Sequence, residues 1–545
     1  QFLKENHADY FRIHRKSFLY DSDKEKPNEL VYLDLRQEKI SLNKILRFKY
    51  ISARRDVTNK EVDKSLSTQI SKLYKRKETN EAQLQAIEEF KESLLKTDSN
   101  LSEIYGSIFE QIIKKVRQYG GVAEGDSLIK IMSTLQHREL LDGNTTVMYG
   151  HQKHELPEHY NGLGYMNLIS MIFDIEILIN EFKTSQKEDT ADINLLFIEE
   201  PEAHTHPQMQ YVFIKNIKAL LKEEIKITDE NRLQLQYVIS THSSHIVSES
   251  HFDDIKYLIR QGDNHVISKN VKALEDEYGK DQQEQNYRFL KQYLTLNRAE
   301  LFFADKAILI EGDTERILLP AMMKKIDQES SGARKLLSQN ISIVEVGAHS
   351  KVFEKFIDFI GVKTLIITDL DCGFQGGSEE DRKWKRCSAS DSKVQSISNE
   401  SLKYFLSASG KDNIEHYTRL KPEQKIVSKC KKKWSSDPNG IVKITFQTRE
   451  KNYHARSFED AFFHLNKEFI LDEKSEFASL KKTYLKQYRD SEIDVFEFSE
   501  KAVSKKPSLA IEILLNSNTD EAGKEYSNWE IPQYIREGLD WLRLI

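Results

Sequence analysis

Ala307-Ile-Leu-Ile-Glu-Gly-Asp-Thr-Glu315 and Thr364-Leu-Ile-Ile-Thr-Asp-Leu-Asp371 decide the fold of the second half of this 545-residue chain. Each opens on an apolar run bounded by polar residues, which predicts a strand buried on both faces of a parallel sheet. Each run then ends in acid, Glu311 and Glu315 after the first, Asp369 and Asp371 after the second. The carboxyl ends of parallel strands are where ligand sites lie. Clustered oxygen ligands suit Mg²⁺ or Mn²⁺, and such a metal site is the usual means of handling a phosphodiester.

One acid at a strand end is ordinarily a solvated turn residue. Glu-Gly-x-x-Glu after one buried strand and Asp-x-Asp after another is far more specific. The ordered pair resembles the Toprim domain shared by topoisomerases, primases and a group of nucleases.

At this length two or more domains are expected. Charged residues make up 31% and apolar ones 39%, and the net charge is −6, so any nucleic-acid contact must come from local patches. No run approaches the ~18 apolar residues needed to span a bilayer, so no membrane partner is expected. Cys372, Cys387 and Cys430 lack metal-like spacing and point to a reducing, cytoplasmic setting. The chain opens on Gln1 rather than Met, and the strand-like Leu30-Val-Tyr-Leu-Asp-Leu35 follows soon after. Residues preceding Gln1 are therefore expected in the natural protein.

Residues 44–56 read as a short buried strand leading into a basic turn. From Lys60 to about Gln118, Val62, Leu66, Ile70 and Leu73, then Leu84, Ile87 and Phe90, recur at helical spacing. A break at Thr97-Asp-Ser-Asn100, with Asn100 and Glu103 as a capping box, predicts two or three long helices. They either pack on a core or form a dimerisation protrusion.

Leu195-Leu-Phe-Ile-Glu-Glu-Pro-Glu202 has the form of a Walker B strand, with Glu199 by the metal and Glu200 as the hydrolytic base. His206-Pro207 follows where ABC-type ATPases carry an interfacial loop, and His242, after the strand around Leu233–Ile239, matches their switch histidine. Gly162 and Gly164, opening a helix in Asn161-Gly-Leu-Gly-Tyr-Met-Asn167, stand where that class carries the signature motif that completes a partner's site. A dimer and ATP are implied. No Gly-x-x-x-x-Gly-Lys-Ser/Thr occurs in the sequence. Either the phosphate loop precedes Gln1, or the head is ATPase-like without binding nucleotide.

The whole order resembles the OLD (overcoming lysogenization defect) family of nucleases, whose members include the Gabija nuclease subunit and effectors encoded with retrons. The resemblance implies an α/β chain in which an ABC-type ATPase head with a long helical insertion is followed by a Toprim α/β domain. The head's N-terminal part (1–58) would lack the phosphate loop, and a helical dimerisation insertion would occupy 59–120. The head would resume at 121–295, and Toprim would fill 296–545 with a basic insertion at 379–440.

The resemblance also implies a metal-dependent DNA endonuclease, homodimeric or a higher homo-oligomer, serving in defence against phage. Partners would be a helicase-like protein or a reverse transcriptase with its DNA. Glu311, Glu315, Asp369 and Asp371 match its metal acids. Glu459, in Ala455-Arg-Ser-Phe-Glu-Asp460, matches a further metal ligand, and Lys506 a lysine that neutralises transition-state charge. The alternative is a nucleotide-switched DNA-binding subunit of a defence or repair complex that does not cut.

Between Arg382 and Trp434 there are 14 Lys or Arg against 5 Asp or Glu, with Trp384 and Trp434 among them. A solvated face is the ordinary reading of such a run. Beside a site for a polyanion, it is expected to track a DNA backbone.

Overall fold

The structure, a computed structural model, describes residues 14–22, 26–53, 81–118, 128–133, 145–151, 154–157, 193–203, 205–224, 235–262, 264–330, 334–377, 383–406, 413–430 and 433–544, with isolated residues within 2–11 and 164–191. It divides into two compact units, Gln1–Ser250 and His251–Ile545. Among the described residues no helix is long and apolar enough to cross a membrane.

The first unit is built on three parallel strands in the order Leu46–Ile51, Ile193–Glu199, Leu235–Ser240. The helix Pro207–Glu224 covers one face, together with Leu168, Met171, Ile172 and Ile175, whose three- and four-residue spacing puts them on one helical stripe. The strand at 46–51 lies at the sheet edge with one face covered, so it is less buried than its sequence predicts: Phe48 and Tyr50 are 55% and 49% exposed. Glu81–Ile108 is one helix of 28 residues, followed by Glu110–Gln118. It runs straight through Thr97–Asn100, so the predicted break and its capping box are not formed. Thr97, Ser99 and Asn100 are exposed, and on a solvated face each such residue costs a helix only up to ~0.7 kcal/mol. Residues 59–80 and 119–120, the rest of the predicted helical insertion, lie outside the described residues.

In the second unit, six strands pair in the order Ile341–Glu345, Lys306–Ile310, Lys363–Ile367, Val442–Thr445, Ile426–Cys430, Lys433–Ser436. The first four are parallel and the last two antiparallel. All five residues of Lys306–Ile310 are buried, as the unbroken apolar run requires. Helices Asp313–Glu329, Phe458–Leu465, Lys506–Leu515 and Gln533–Arg543 supply the surrounding core.

One division differs from the sequence reading. The structural division falls at 250/251, not 295/296. The ribbon Lys256–Arg260/Val266–Asn270 and the helix Ala273–Lys280 pack against the second unit. Tyr278 OH donates to Val352 O, Lys269 Nζ to Phe359 O, and Lys355 Nζ reaches Asp281 Oδ2 at 2.6 Å. Within the basic segment 379–440, the strands 426–430 and 433–436 extend the main sheet. The segment's tryptophans are packed: Trp384 lies over Gly373, where a Cβ would come within 2.8 Å of the indole, and Trp434 meets Phe405 edge-on at 5.1 Å.

Candidate active site

Pairing Lys306–Ile310 with Lys363–Ile367 in parallel brings Glu311 beside the turn at 368–371. Glu311 Oε1 accepts from Thr368 Oγ1, from Asp369 N at 3.3 Å and from Asn399 Nδ2 at 2.9 Å. Asp369 Oδ1 accepts from Gln447 Nε2 at 2.7 Å and from Phe458 N at 2.9 Å. The second of these is the amino end of the helix Phe458–Leu465, a favourable place for a carboxylate. The first turn of that helix carries Glu459, 4% exposed. Lys506, opening Lys506–Leu515, donates to Glu459 Oε2 at 3.0 Å, and Thr314 Oγ1 reaches Glu459 Oε1 at 3.4 Å. Glu315, one turn into Asp313–Glu329, is 7% exposed. Asp371 holds the left-handed φ of +50° and pairs with the buried Arg456; a strained non-glycine backbone of this kind is commonest at functional positions.

The electrostatics tie these groups into one cluster. Burial and then the Glu459 charge push the Glu315 carboxyl to about 8. Burial, then Glu311, Glu315, Glu459 and Asp371, lift Asp369 well above the usual carboxylate range. Burial and Asp371 also raise Glu311, against the bonds from Thr368, Asn399 and Asp369 N that favour its charge. Desolvation works against the Lys506 cation, but Glu459, Asp369 and Glu315 outweigh it and raise its pKa. Acids that drive one another toward the neutral form are a donor set short of positive charge. The chemistry therefore fits a divalent cation held by Glu311, Glu315, Asp369, Asp371 and Glu459. As they stand, no three His, Cys, Asp or Glu among the described residues converge to hold one. Binding would require these carboxyls to trade Asn399, Arg456 and Lys506 for the cation.

In the first unit, Glu199 Oε2 accepts from Tyr50 OH and from Ala53 N at 3.0 Å. Those bonds, Tyr50's the larger, hold its carboxyl below the ordinary value. Glu200 has a left-handed φ of +39°. Its Oε1 lies 3.4 Å from His242 Nε2, so the predicted base and sensor are brought together. Glu202 Oε1 accepts from Thr241 Oγ1 at 2.8 Å and His242 N at 2.6 Å, fixing the loop that carries His242. Gly164 is helical and half-buried; Gly162 lies outside the described residues. His206 caps the start of Pro207–Glu224 through Gln208 N at 3.3 Å.

Family models match residues 2–247 as an AAA ATPase domain and 302–371 as an overcoming lysogenization defect protein-like Toprim domain. This chain pairs an AAA ATPase with an OLD-like Toprim domain. It is homologous to endonuclease GajA of Bacillus cereus (strain HuB5-5), 28% identical over 81% of this chain and 63% of GajA. It is also 28% identical to the Old nuclease of Escherichia phage P2, over 35% of this chain and 30% of that protein. The chain thus spans less than two thirds of either relative. The solved C-terminal region of the Burkholderia pseudomallei OLD protein matches 44% of this chain and 98% of its own length, at 16% identity and a TM-score of 0.25.

Four groups at the Toprim site carried no role in the sequence reading: Thr368, Asn399, Gln447 and Arg456. Asn399 Nδ2 also donates to Thr368 Oγ1 and Asp369 O, at 2.7 and 2.8 Å, while its Oδ1 caps the helix Glu400–Leu406. An Asn just before Ser- and Leu-bearing helical sequence is a legible cap; its link to Glu311 is not.

Proposed function

We propose that this protein is a metal-dependent DNA endonuclease, regulated by nucleotide at its ATPase domain and serving in defence against phage. The observation that carries the reading is one electrostatic cluster: Glu311, after the first buried strand, accepts from the Asp369 amide at 3.3 Å, the charges of Glu315, Glu459 and Asp371 act on Asp369, and Lys506 bonds Glu459 at 3.0 Å. A divalent cation bound there, Mg²⁺ or Mn²⁺, would activate water and neutralise developing charge on a phosphodiester. The chain's own part is to orient the carboxylates through Gln447, Asn399 and the 458–465 helix. It also keeps the Lys506 ammonium beside Glu459 for the phosphate. Exposed Lys385, Arg386, Lys393 and Lys433 are placed to follow a DNA backbone by charge, with salt-sensitive affinity. The names of the relatives, endonuclease GajA and Old nuclease, support the reading.

The test is nicking of supercoiled plasmid in Mg²⁺ or Mn²⁺ by the full chain. Wild-type protein should cut only with metal, and Asp369→Ala should not cut. Full activity in that variant would take the cutting away from this site, whereas wild-type protein that never nicks with metal would leave a DNA-binding subunit.

The head is proposed to bind ATP as a homodimer, Gly162 and Gly164 facing the partner's nucleotide. Light scattering showing a monomer of 63.7 kDa with and without ATP would refute this. Glu200 is the proposed base and His242 the γ-phosphate sensor. Nucleotide can influence cutting only through two conformations it binds unequally. Glu200→Gln should retain ATP unhydrolysed and change plasmid nicking markedly, in either direction. Identical nicking across an ATP titration in both proteins would make the head a scaffold.

A further inference from the structure

Arg456 is 6% exposed, and its guanidinium is shared among three acceptors. Nη2 donates to Asp371 Oδ1, Nη1 to Glu500 Oε1 at 3.3 Å, and Nε to Cys372 O at 3.2 Å. The other oxygen of Glu500 accepts from Arg386 Nη1 at 3.2 Å. Arg386 ends the strand Lys383–Arg386 with its side chain 62% exposed. An alternating row of charges, Arg386–Glu500–Arg456–Asp371, therefore runs from the surface of the basic segment to the second acid of Asp-x-Asp.

The backbone at the inner end is fixed separately. Asp371 N donates to Arg456 O at 3.2 Å, and Asp371 O accepts from Ser398 N and Ser398 Oγ, both at 2.9 Å. The Nε bond to Cys372 O likewise keeps Arg456 in place. What can vary is how the guanidinium divides its charge between Asp371 and Glu500.

We propose that Arg456 is a positioning residue whose hold on Asp371 is set through Glu500 by Arg386, so that a DNA phosphate engaging Arg386 frees Asp371 for the divalent cation. The proposal rests on the metal-site reading above. Glu500 has one negative charge to satisfy two guanidiniums. When a phosphate takes Arg386, that charge falls wholly to Arg456, which then competes less for Asp371. The inner pair is little screened, with Arg456 and Asp371 side chains 7% and 32% exposed. Linkage makes the effect reciprocal, so cation binding should in turn strengthen the grip on DNA at Arg386. Cutting would thereby be reserved for protein with DNA already in place.

The test is Mn²⁺ titration calorimetry on the full chain, without DNA, in a double-mutant cycle. Groups surrounding a metal's ligands commonly change its affinity by about 10–100-fold. One step further out, Arg386→Ala should tighten Mn²⁺ binding and Glu500→Gln weaken it, each by about three- to tenfold. Simple long-range charge would give the same signs, but additively. The relay predicts that Arg386→Ala has no effect once residue 500 is Gln. Lys385→Ala, the same charge change one residue away, should do nothing in either background. A phosphorothioate duplex should tighten Mn²⁺ binding in wild type and not in Arg386→Ala. Additive shifts, or an equal shift from Lys385→Ala, would overturn the relay, and melting curves certify the fold of each variant. Asp369→Ala in the same titration separates the two levels. If it leaves Mn²⁺ binding unchanged the metal reading falls, and the relay with it. If it removes binding while the cycle is additive, only the relay falls.

Discussion

Asp369→Asn should abolish plasmid nicking and, in metal-free protein, raise the melting temperature. The activity loss follows from the buried place of Asp369 among the charges of Glu311, Glu315, Glu459 and Asp371. A neutral amide there is a poor ligand and gives no charge against which a cation can be held. Loss of one such group costs at least about 10²–10³ in rate. The stability gain follows from the same crowding. Asn keeps the oxygen that accepts from Gln447 Nε2 and Phe458 N, at 2.7 and 2.9 Å, while removing a charge that Glu311, Glu315 and Glu459 oppose. A relief of about 1 kcal/mol moves the transition of a unit this size by about 2 °C. With saturating Mn²⁺ the order should invert, because the cation stabilises wild type and has no full site in the variant. A metal-free variant that melts below wild type would show that the acids are not in mutual repulsion.

The strands and their acids were legible because burial on both faces leaves an unbroken apolar run, and Glu311, Asp369 and Asp371 sit directly at its end. Glu459 and Lys506 came from resemblance, not from spacing, since only the fold brings them to Glu315. The roles of Asn399 and Gln447 at the site could not be read, because their bonds to Glu311 and Asp369 span 88 and 78 residues. Local signals also failed where tertiary context outweighs them. Thr97–Asn100 looked like a helix break, yet these residues lie mostly exposed on a continuous helix. Trp384 and Trp434 stand among basic residues in sequence, yet in the fold they pack on Gly373 and edge-on to Phe405, contacts that local sequence does not show. The segment 251–295 reads as a continuation of the head; Tyr278, Lys269 and Lys355 tie it to the second unit instead.

The metal-free second unit should lose stability as pH rises from about 6.5 to about 8, and Mn²⁺ should flatten that fall. Glu315 carries the sign. Its folded pKa, about 8, lies above its ordinary 4.5, so between those values the folded state holds a proton the unfolded chain has released. Stability then falls with rising pH, by up to about 1.4 kcal/mol per unit for each such group. Asp369 and Glu311, also raised, add in the same direction. Other groups bound this window. Burial raises Asp460 to about 6, so its loss is over by then. Burial lowers His454 below its ordinary 6.5, which makes stability rise with pH up to about that value. Burial holds Lys363 and Lys425 at about 8 and lowers Lys306 and Lys443, so these lysines turn the slope upward as pH approaches 8 and beyond. The measurement is clean because the four tryptophans, Trp384, Trp434, Trp529 and Trp541, all lie in the second unit, so their fluorescence follows its unfolding without the head. Glu315→Gln should flatten the curve as Mn²⁺ does, the amide replacing the proton and the cation displacing it. A wild-type curve already flat across that window without metal would mean that Glu315 is charged and partnered, and the cluster would then have no need of a cation.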